Sequence, residues 1–399
     1  MIFPDYKKQY YTLVTILAGL MPLYSIRLPI FGIPTTIFEV AVVVVFCLGL
    51  ILVEVRQSWL HTWRSTPKNI KIAVCIFLLA ACISVGISHE LHVSLGILKG
   101  WFIIPAIFSF LIASASKNNI KLRGDVFSSI IYSGSIVALL GISQLGSVLR
   151  IFSIYDVPNS LALFLVPISI ISLYRGVQQK NKLYILLSVV MIIAIFATKS
   201  FGALFALAGV FIVVALGWIK SSHVLKPLRY IVSWVALSVL FVGLLYMFYF
   251  PRIQYFVSPF INPTTHSSLT VRLQLWSIGI RLIAQYPVFG IGLGQFEPAY
   301  QAELHREFAE HLNVLPEYVF RDPHNFLISF WLNAGILGLI SFLYLNWIAI
   351  RSSIKFKSIQ KKSVGFALIA MLIFGLVDTI YWKNDLSALW WLLLLWLVF

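Results

Sequence analysis

Apolar residues in this chain come in continuous runs rather than in alternation. The runs fall near 10–26, 35–53, 70–88, 93–113, 126–146, 160–174, 183–198, 201–219, 230–250, 326–350, 363–381 and 386–399. Most are about 20 residues long, the length at which an α-helix crosses a hydrocarbon core; 160–174 and 183–198 are shorter. Membrane β-strands would read as alternating segments of about ten residues, so these spans are helices, which satisfy their backbone polar groups internally. The pattern predicts an all-α polytopic membrane protein with about twelve transmembrane helices in one integral membrane domain. Nine lie in 1–250, three in 326–399, and residues 251–325 form a single large loop with helical patterns of its own. The first run lacks a small-residue cleavage site and reads as a retained span.

Composition agrees. The chain is 60% hydrophobic and 11% charged, against about 25% charged in a soluble domain, which excludes ordinary soluble domains and disorder. Its net charge of +16 reads as loop asymmetry rather than nucleic-acid binding. With the N-terminus in the cytoplasm, the inner segments hold Lys7, Lys8, Arg56, Arg64, Lys68, Lys71, Lys117, Lys121, Arg123, Arg175, Lys180, Lys182, Lys220, Lys226, Arg229, Arg351, Lys355, Lys357, Lys361 and Lys362. The short outer loops hold few cations: Arg27, Arg150, Lys199 and Lys383. This alternation puts both termini inside and 251–325 outside. Cys47, Cys75 and Cys82 lie in apolar runs and read as small core residues.

A long loop is where function concentrates. Within it, Ser268–Pro287 reads as an amphipathic helix, with Gln274, Ser277, Arg281 and Gln285 on one polar stripe. Arg272 projects from the opposite face with Trp276, Gly279 and Ile283. A guanidinium there needs a partner: an anionic ligand, or the ring of Trp276 at i+4. Arg281 reads as surface charge. Next comes Arg321-Asp322-Pro323-His324-Asn325, directly before an apolar helix. Asp322 fits an N-cap and Pro323 a first helical residue. His324 then sits in the first turn, where the helix dipole disfavours imidazolium and keeps the ring neutral, as a general base requires; a capping or interfacial histidine is the plainer reading.

Lys99 lies about 9 Å along its helix from the outer end, a depth at which ionisable groups are functional candidates or snorkel to the headgroups. Lys199 occupies a tight outer turn, and Asp378, Lys383 and Asp385 surround the last one, where Asp378 can neutralise a lysine. Together these cations suit a phosphate-bearing lipid substrate or headgroup anchoring. There is no Asp-x-Asp and no P-loop; Gly290-Ile-Gly-Leu-Gly294 lacks the Lys-Ser/Thr. His305 and His311 are six apart, which argues against zinc, and their stretch reads as a solvated helix with Glu303 and Glu307 on one side. No metal or other cofactor is expected.

The block TVRLQLWSIGIRLIAQYPVFGIGLGQF followed by DPHNFLISFWLNAGILGLISF resembles the signature of the O-antigen ligase/O-antigen polymerase superfamily: an arginine-bearing outer helix, a Gly-x-Gly turn and a His-Asn pair before a span rich in small residues. Asp156-Val-Pro-Asn-Ser-Leu-Ala162 resembles the family's Pro-Asn entry to a central span, and VDTIYWKNDLSALWW also resembles family members. One position departs: where the family often has an arginine before the eighth span, this chain reads Lys199-Ser200-Phe201-Gly202, so Phe201 replaces it and Lys199 stands two positions away. The resemblance implies metal-independent, inverting glycan transfer on the extracytoplasmic face of a bacterial inner membrane. The donor is a polyprenyl-diphosphate-linked glycan; the acceptor is a hydroxyl of lipid A-core, another glycan or a protein. It implies Arg272 and His324 as catalytic residues, with Lys99, Lys199, Arg150, Asn325, Lys383 and Asp378 binding substrate. Partners are membrane lipids and these substrates, with no nucleic acid. A polymerase of the same superfamily is the nearest alternative. A lipid-linked glycan transporter is a more distant one, since no matching halves are visible and the ionisable groups are biased outward.

Overall fold

The computed structural model describes residues 6–30, 33–117, 119–219, 268–310, 320–355 and 358–398. Every expected apolar run except 230–250, which lies outside the described residues, falls on a helix. The helices are α1 (Tyr6–Gly19), α2 (Ile37–Ile51), α3 (Val53–Ser65), α4 (Lys68–Gly86), α5 (Leu91–Ile97), α6 (Ile104–Ser116), α7 (Ile120–Ile142), α8 (Pro158–Gln178), α9 (Lys182–Ala197) and α10 (Phe201–Ile219). After the gap come α11 (Ser268–Gln285), α12 (Phe296–Glu310), α13 (Phe326–Lys355), α14 (Ile359–Gly375) and α15 (Asn384–Val398). A π-helical turn, Leu98–Ile103, joins α5 to α6. An antiparallel pair, β1 (Arg27–Ile30) and β2 (Ile33–Thr36), lies between α1 and α2 with Arg27 opposite Thr36.

The protein is a helical membrane protein. Five helices among the described residues are long and apolar enough to cross a bilayer alone: α4, the continuous Leu91–Ser116, α7, α8 and α13. A sixth arises if α2 and α3, bent by 103°, count as one span. The difference from the expected twelve lies partly in length, since Lys182–Ala197, Phe201–Val214 and Asn384–Val398 are apolar but shorter. The expected 363–381 run also shortens: its helix ends at Gly375, and 376–383 form a turn. The segment after α2, expected as an inner loop, is helical too, because Val55, Trp59 and Thr62 share one buried face of α3. Trp59 stacks on Phe46 with ring centroids 5.3 Å apart. The three cysteines are exposed on the outward surface rather than in the core.

The core below the 376–383 turn is aromatic. Phe77, Phe102, Phe330, Phe342, Tyr381 and Trp390 are fully or almost fully buried, and Phe330 stacks on Phe342 at 4.0 Å. Two indoles anchor it: Trp391 Nε1 donates to Tyr381 Oη (3.1 Å) and Trp390 Nε1 to Asn346 Oδ1 (3.0 Å). Such rings supply large apolar burial while their N–H groups still require acceptors.

α13 is broken at Gly335, whose φ of 66° and ψ of −178° define a region open essentially to glycine alone. The glycine-rich loop 288–294 fills the break. Ile336 N donates to Val288 O (3.0 Å), Ile291 N to Leu332 O (2.8 Å), and Gly294 N to Asn333 Oδ1 (2.9 Å). Irregular backbone at membrane depth survives only where protein satisfies it in this way. A Cβ on Gly335 would meet Val288 O at 2.5 Å, and one on Gly290, also at positive φ, would collide with the Leu332 carbonyl. Gly335→Ala is therefore expected to lose about 2 kcal/mol or more of stability, read as a lowered melting temperature in detergent. Gly86→Ala, which meets nothing within 4 Å, should leave it unchanged or raised.

Candidate active site

Four segments converge on the Asp378 carboxylate, which is almost fully buried. His324 Nδ1 lies 3.1 Å from Asp378 Oδ1, and the Thr379 backbone N–H donates to the same oxygen (2.8 Å). Asn159 Nδ2 donates to Oδ2 (2.7 Å), and Arg272 Nη2 stands 3.8 Å from Oδ2. Arg272 is held by its other nitrogens. Nε donates to Val377 O (2.7 Å), and Nη1 donates to Ser268 O (3.1 Å) and to the Ser268 hydroxyl. Ser268 lies one turn earlier on α11, and Val377 is the neighbour of Asp378, so helix and turn clamp one guanidinium. Arg150 reaches the cluster indirectly: Nε donates to Thr198 O (2.8 Å) and Nη2 to Asn159 Oδ1 (3.0 Å). The Asn159 amide thus bridges a cation to the carboxylate.

Local chemistry explains how His324 is presented. The expected cap moves: Asn325, not Asp322, caps α13, its Oδ1 accepting from Leu327 N (2.9 Å) and Ile328 N (3.3 Å), and Phe326 rather than Pro323 begins the helix. Asp322 instead accepts from the His324 backbone N–H (2.8 Å) and from the Thr379 hydroxyl. His324 therefore lies before the helix, at a φ of 49°, a left-handed conformation costly outside glycine and asparagine. Phe320 meets its ring edge-on at 5.9 Å. Nε2 makes no hydrogen bond to a described residue.

The expectation of a neutral imidazole is overturned. Burial lowers the pKa of His324, but the Asp322 charge, the hydrogen bond to Asp378 and the Asp378 charge outweigh it and raise the value to about 9. Burial likewise pushes Asp378 up, yet the His324 hydrogen bond, the His324 and Arg272 charges and the Thr379 N–H bring it down to about 2. Nearby carboxylates dominate over a dipole that His324, outside the helix, scarcely feels. Asp378 consequently neutralises His324 and Arg272 rather than a lysine. Arg272, 19% exposed at the side chain, finds its partners there and not on the Trp276 ring.

The remaining candidates divide. Lys383 Nζ donates to Ser160 Oγ (2.6 Å), beside Asn159 in the first turn of α8. Lys199 stands in the α9–α10 turn at a φ of 52°, adjacent to the Thr198 carbonyl that holds Arg150. Asn325 Nδ2 donates to Leu376 O (3.0 Å), tying the start of α13 to the Asp378 turn. Lys99, in the π-helical turn, belongs to a second cluster: it pairs with Glu39 (2.9 Å) and donates to Pro34 O (2.7 Å). Glu39 also closes a capping box with Thr36 and accepts from Asn384 Nδ2 (2.7 Å). Asp385 takes the Tyr155 hydroxyl (3.0 Å). Arg281 is exposed, as expected. Glu303 is not solvated: it is buried against α11, accepting from Gln285 (2.9 Å) and pairing with Arg306 (2.9 Å). His311 lies outside the described residues. Among the described residues no three His, Cys, Asp or Glu side chains gather to hold a metal ion.

Sequence reasoning missed Thr379 and Glu39 as site-building residues, and met Asn159 only as part of the Pro-Asn motif without a role. A signal for Glu39 exists in Thr36-x-x-Glu39, a capping-box pattern; Thr379 and the role of Asn159 become visible only through contacts across the fold. The charge state has a direct consequence for stability. His324, raised, contributes stability that is complete below its ordinary 6.5 and lost as pH climbs through about 9. Asp378, depressed, contributes above its ordinary 3.8 and loses this as pH falls through about 2. Asp378→Asn is expected to bring the His324 titration down from about 9 by a unit or more, read by NMR of the labelled imidazole; an unmoved titration would assign the shift to Asp322 alone.

None of the curated proteins matches the chain. A family model described as O-antigen ligase matches residues 186–343, a stretch that carries Lys199, Arg272, the glycine loop, His324 and the Gly335 break, while Arg150, Asn159 and Asp378 lie outside it. Over those 158 of its 399 residues the chain is similar to the O-antigen ligase family.

Proposed function

We propose that the protein transfers a glycan from a polyprenyl diphosphate to an acceptor hydroxyl, at a site formed by Arg272, His324 and Asp378. The family supplies the reaction class, glycosyltransferase-like chemistry in O-antigen pathways. The observation that carries the residue assignment is that Arg272 and His324, 52 positions apart in sequence, both address one buried carboxylate. The positive-inside pattern supports an extracytoplasmic site with both termini in the cytoplasm, and the likeness to O-antigen ligases supports a bacterial inner membrane.

In the proposed step the acceptor oxygen attacks the anomeric carbon while the bond from that carbon to the diphosphate oxygen breaks. His324 Nε2 takes the acceptor's proton, and the bond electrons leave with the polyprenyl diphosphate. A single displacement of this kind inverts the anomeric centre. Asp378 fixes the tautomer by holding Nδ1 and stabilises the imidazolium that forms, as a carboxylate does behind any histidine base. Negative charge growing on the diphosphate favours fixed cations aimed at it. Arg272 fills that role through its Nη2 edge, with Arg150, Lys199 and Lys383 raising the local potential. Lys99, matched by Glu39, contributes least. Asn325 holds the His324 loop against the Asp378 turn.

The raised pKa favours a second role for His324. At neutral pH only about 1% of a group titrating at 9 is neutral, so the imidazolium can itself grip the diphosphate beside Arg272. The two roles predict opposite pH profiles. As a base, His324 gives a rate that climbs with pH up to about 9, and Asp378→Asn moves that limb to lower pH; as a cation, it gives a rate that falls above 9.

Arg272→Ala and His324→Ala are each expected to lower transfer by about 10²-fold or more with membrane insertion unchanged. The measurement is label transfer from a lipid-linked glycan in reconstituted vesicles; full transfer by both variants rejects the assignment. Product length in the same assay separates ligase from polymerase, since a polymerase builds ladders without a core acceptor.

A further inference from the structure

The bend after α2 produces a helix whose position the Asp378 cluster does not explain. The axis turns by 103° at Leu52, so α3 runs across the ends of its neighbours rather than along them. Ser58 Oγ donates to Ser114 O (2.9 Å), in the last turn of the continuous Leu91–Ser116 helix, and Trp59 packs near Phe110 with ring centroids 6.5 Å apart. α2 ends at Ile51, while α4 and α7 begin at Lys68 and Ile120. α3 therefore lies at the level where these helices meet one edge of the membrane. Ser114 comes 14 residues after Gly100, whose Cβ position abuts Asn384, or about 21 Å along the helix, which separates α3 from the passage that carries Asp378.

One face of α3 holds it in place and the rest is left open. Val55, Trp59 and Thr62 are buried, whereas Val53, Leu60 and Trp63 stay about half exposed (55%, 54% and 48%). On the outward side, Gln57, Leu60, His61, Arg64 and Ser65 line an open groove of about 550 Å³; their i, i+3, i+4, i+7, i+8 spacing makes it a single helix face. The Gln57 amide, the His61 ring and the Arg64 guanidinium make no hydrogen bond or ion pair to a described residue. Lys117 stands at one end of the groove, donating to the Ser65 hydroxyl. Lys71 adds charge beside Arg64, its Nζ 3.4 Å from the Arg64 carbonyl oxygen and 5.2 Å from the Trp63 ring centroid. Glu54, the one acid in α3, pairs with Lys7 (3.4 Å). Exposed aliphatic and indole side chains interleaved with cations are the composition of a helix lying in the headgroup layer.

We propose that α3 lies along the membrane surface and that its groove seats the phosphate of an anionic phospholipid headgroup, gripped by Arg64 with His61 and Gln57 beside it. Val53, Leu60 and Trp63 give the helix its apolar contact with the acyl boundary. Charge selects the occupant: residues 53–71 hold Arg56, Arg64, Lys68 and Lys71 against Glu54 alone, a balance that favours an anionic over a zwitterionic leaflet. The lipid site is separate from the Asp378 cluster and stands whether or not that cluster transfers glycans.

The test uses the full-length purified protein in neutral detergent with dioctanoyl phosphatidylglycerol, dioctanoyl phosphatidylcholine and glycerol 1-phosphate as probes, reading affinity by titration and bound lipid by native mass spectrometry. The glycerol lipid is expected to bind about tenfold or more tightly than the choline lipid, and Arg64→Gln to remove about that factor, the loss of one charge-assisted contact. Leu60→Glu places a carboxylate in the groove and is expected to do the same. Both positions are exposed, so the melting temperature without lipid should stay that of the parent. Lys182→Gln, which removes an exposed cation from α9, should keep the preference. Equal affinities for the two lipids, an equal loss in Arg64→Gln and Lys182→Gln, or glycerol 1-phosphate binding as tightly as the lipid each overturn the proposal. The first leaves no anion site, the second only diffuse surface charge, and the third a soluble ligand.

Discussion

A buried carboxylate with more partners than oxygens organises one end of this protein. Asp378 is expensive to bury alone, and its cost is offset only if His324, Arg272, Asn159 and the Thr379 N–H all face it. Each partner comes from a different segment, so satisfying one charge brings together α8, α11, the loop before α13 and the turn after α14. The aromatic layer beneath the turn makes that demand enforceable. Tyr381 is pinned by Trp391, and the backbone carrying Asp378 cannot retreat toward solvent without opening the core.

The same economy appears in the second polar cluster. Glu39 closes the N-terminus of α2, matches Lys99 and accepts from Asn384, and Asn384 in turn takes the Trp101 indole (3.1 Å). Lys99 and Trp101 sit in the π-helical turn, a distortion that redirects side chains within an otherwise regular span. Both clusters touch the passage from α14 into α15, one at Asp378 in the turn and the other at Asn384, the first residue of α15. That segment therefore reports on the packing of nearly every helix at this end.

Much of the helical content was legible from the runs of apolar residues, because a long unbroken stretch admits few other structures. What stayed hidden depended on partners distant in sequence. Asp322-Pro323-His324-Asn325 offers two capping residues, and spacing favours the first; the second wins because His324 adopts a left-handed backbone that delays the helix. His324's protonation was misjudged for a related reason. The local dipole and the Asp322 charge two residues before are both visible in sequence, whereas the carboxylate that hydrogen-bonds the ring stands 54 residues away. Arg272 was recognisable as a charge on the wrong face of an amphipathic helix, though not its contact with Val377. Glycines 290, 292 and 294 read as a glycine-rich turn, and only the fold reveals that the 288–294 loop supplies backbone bonds on either side of Gly335.

That replacement has a mechanical side. α11 runs into the glycine loop, and the loop is stitched to α13 on both flanks of its break, at Leu332 and Ile336. Arg272 and His324 are thus mounted on two arms of one closed truss, not on separate flexible tethers. A bulky substrate entering between them cannot pry the arms apart locally. The separation of Arg272 from His324 is thus set by the braced break at Gly335, 11 residues after His324, and not by the His324 loop alone.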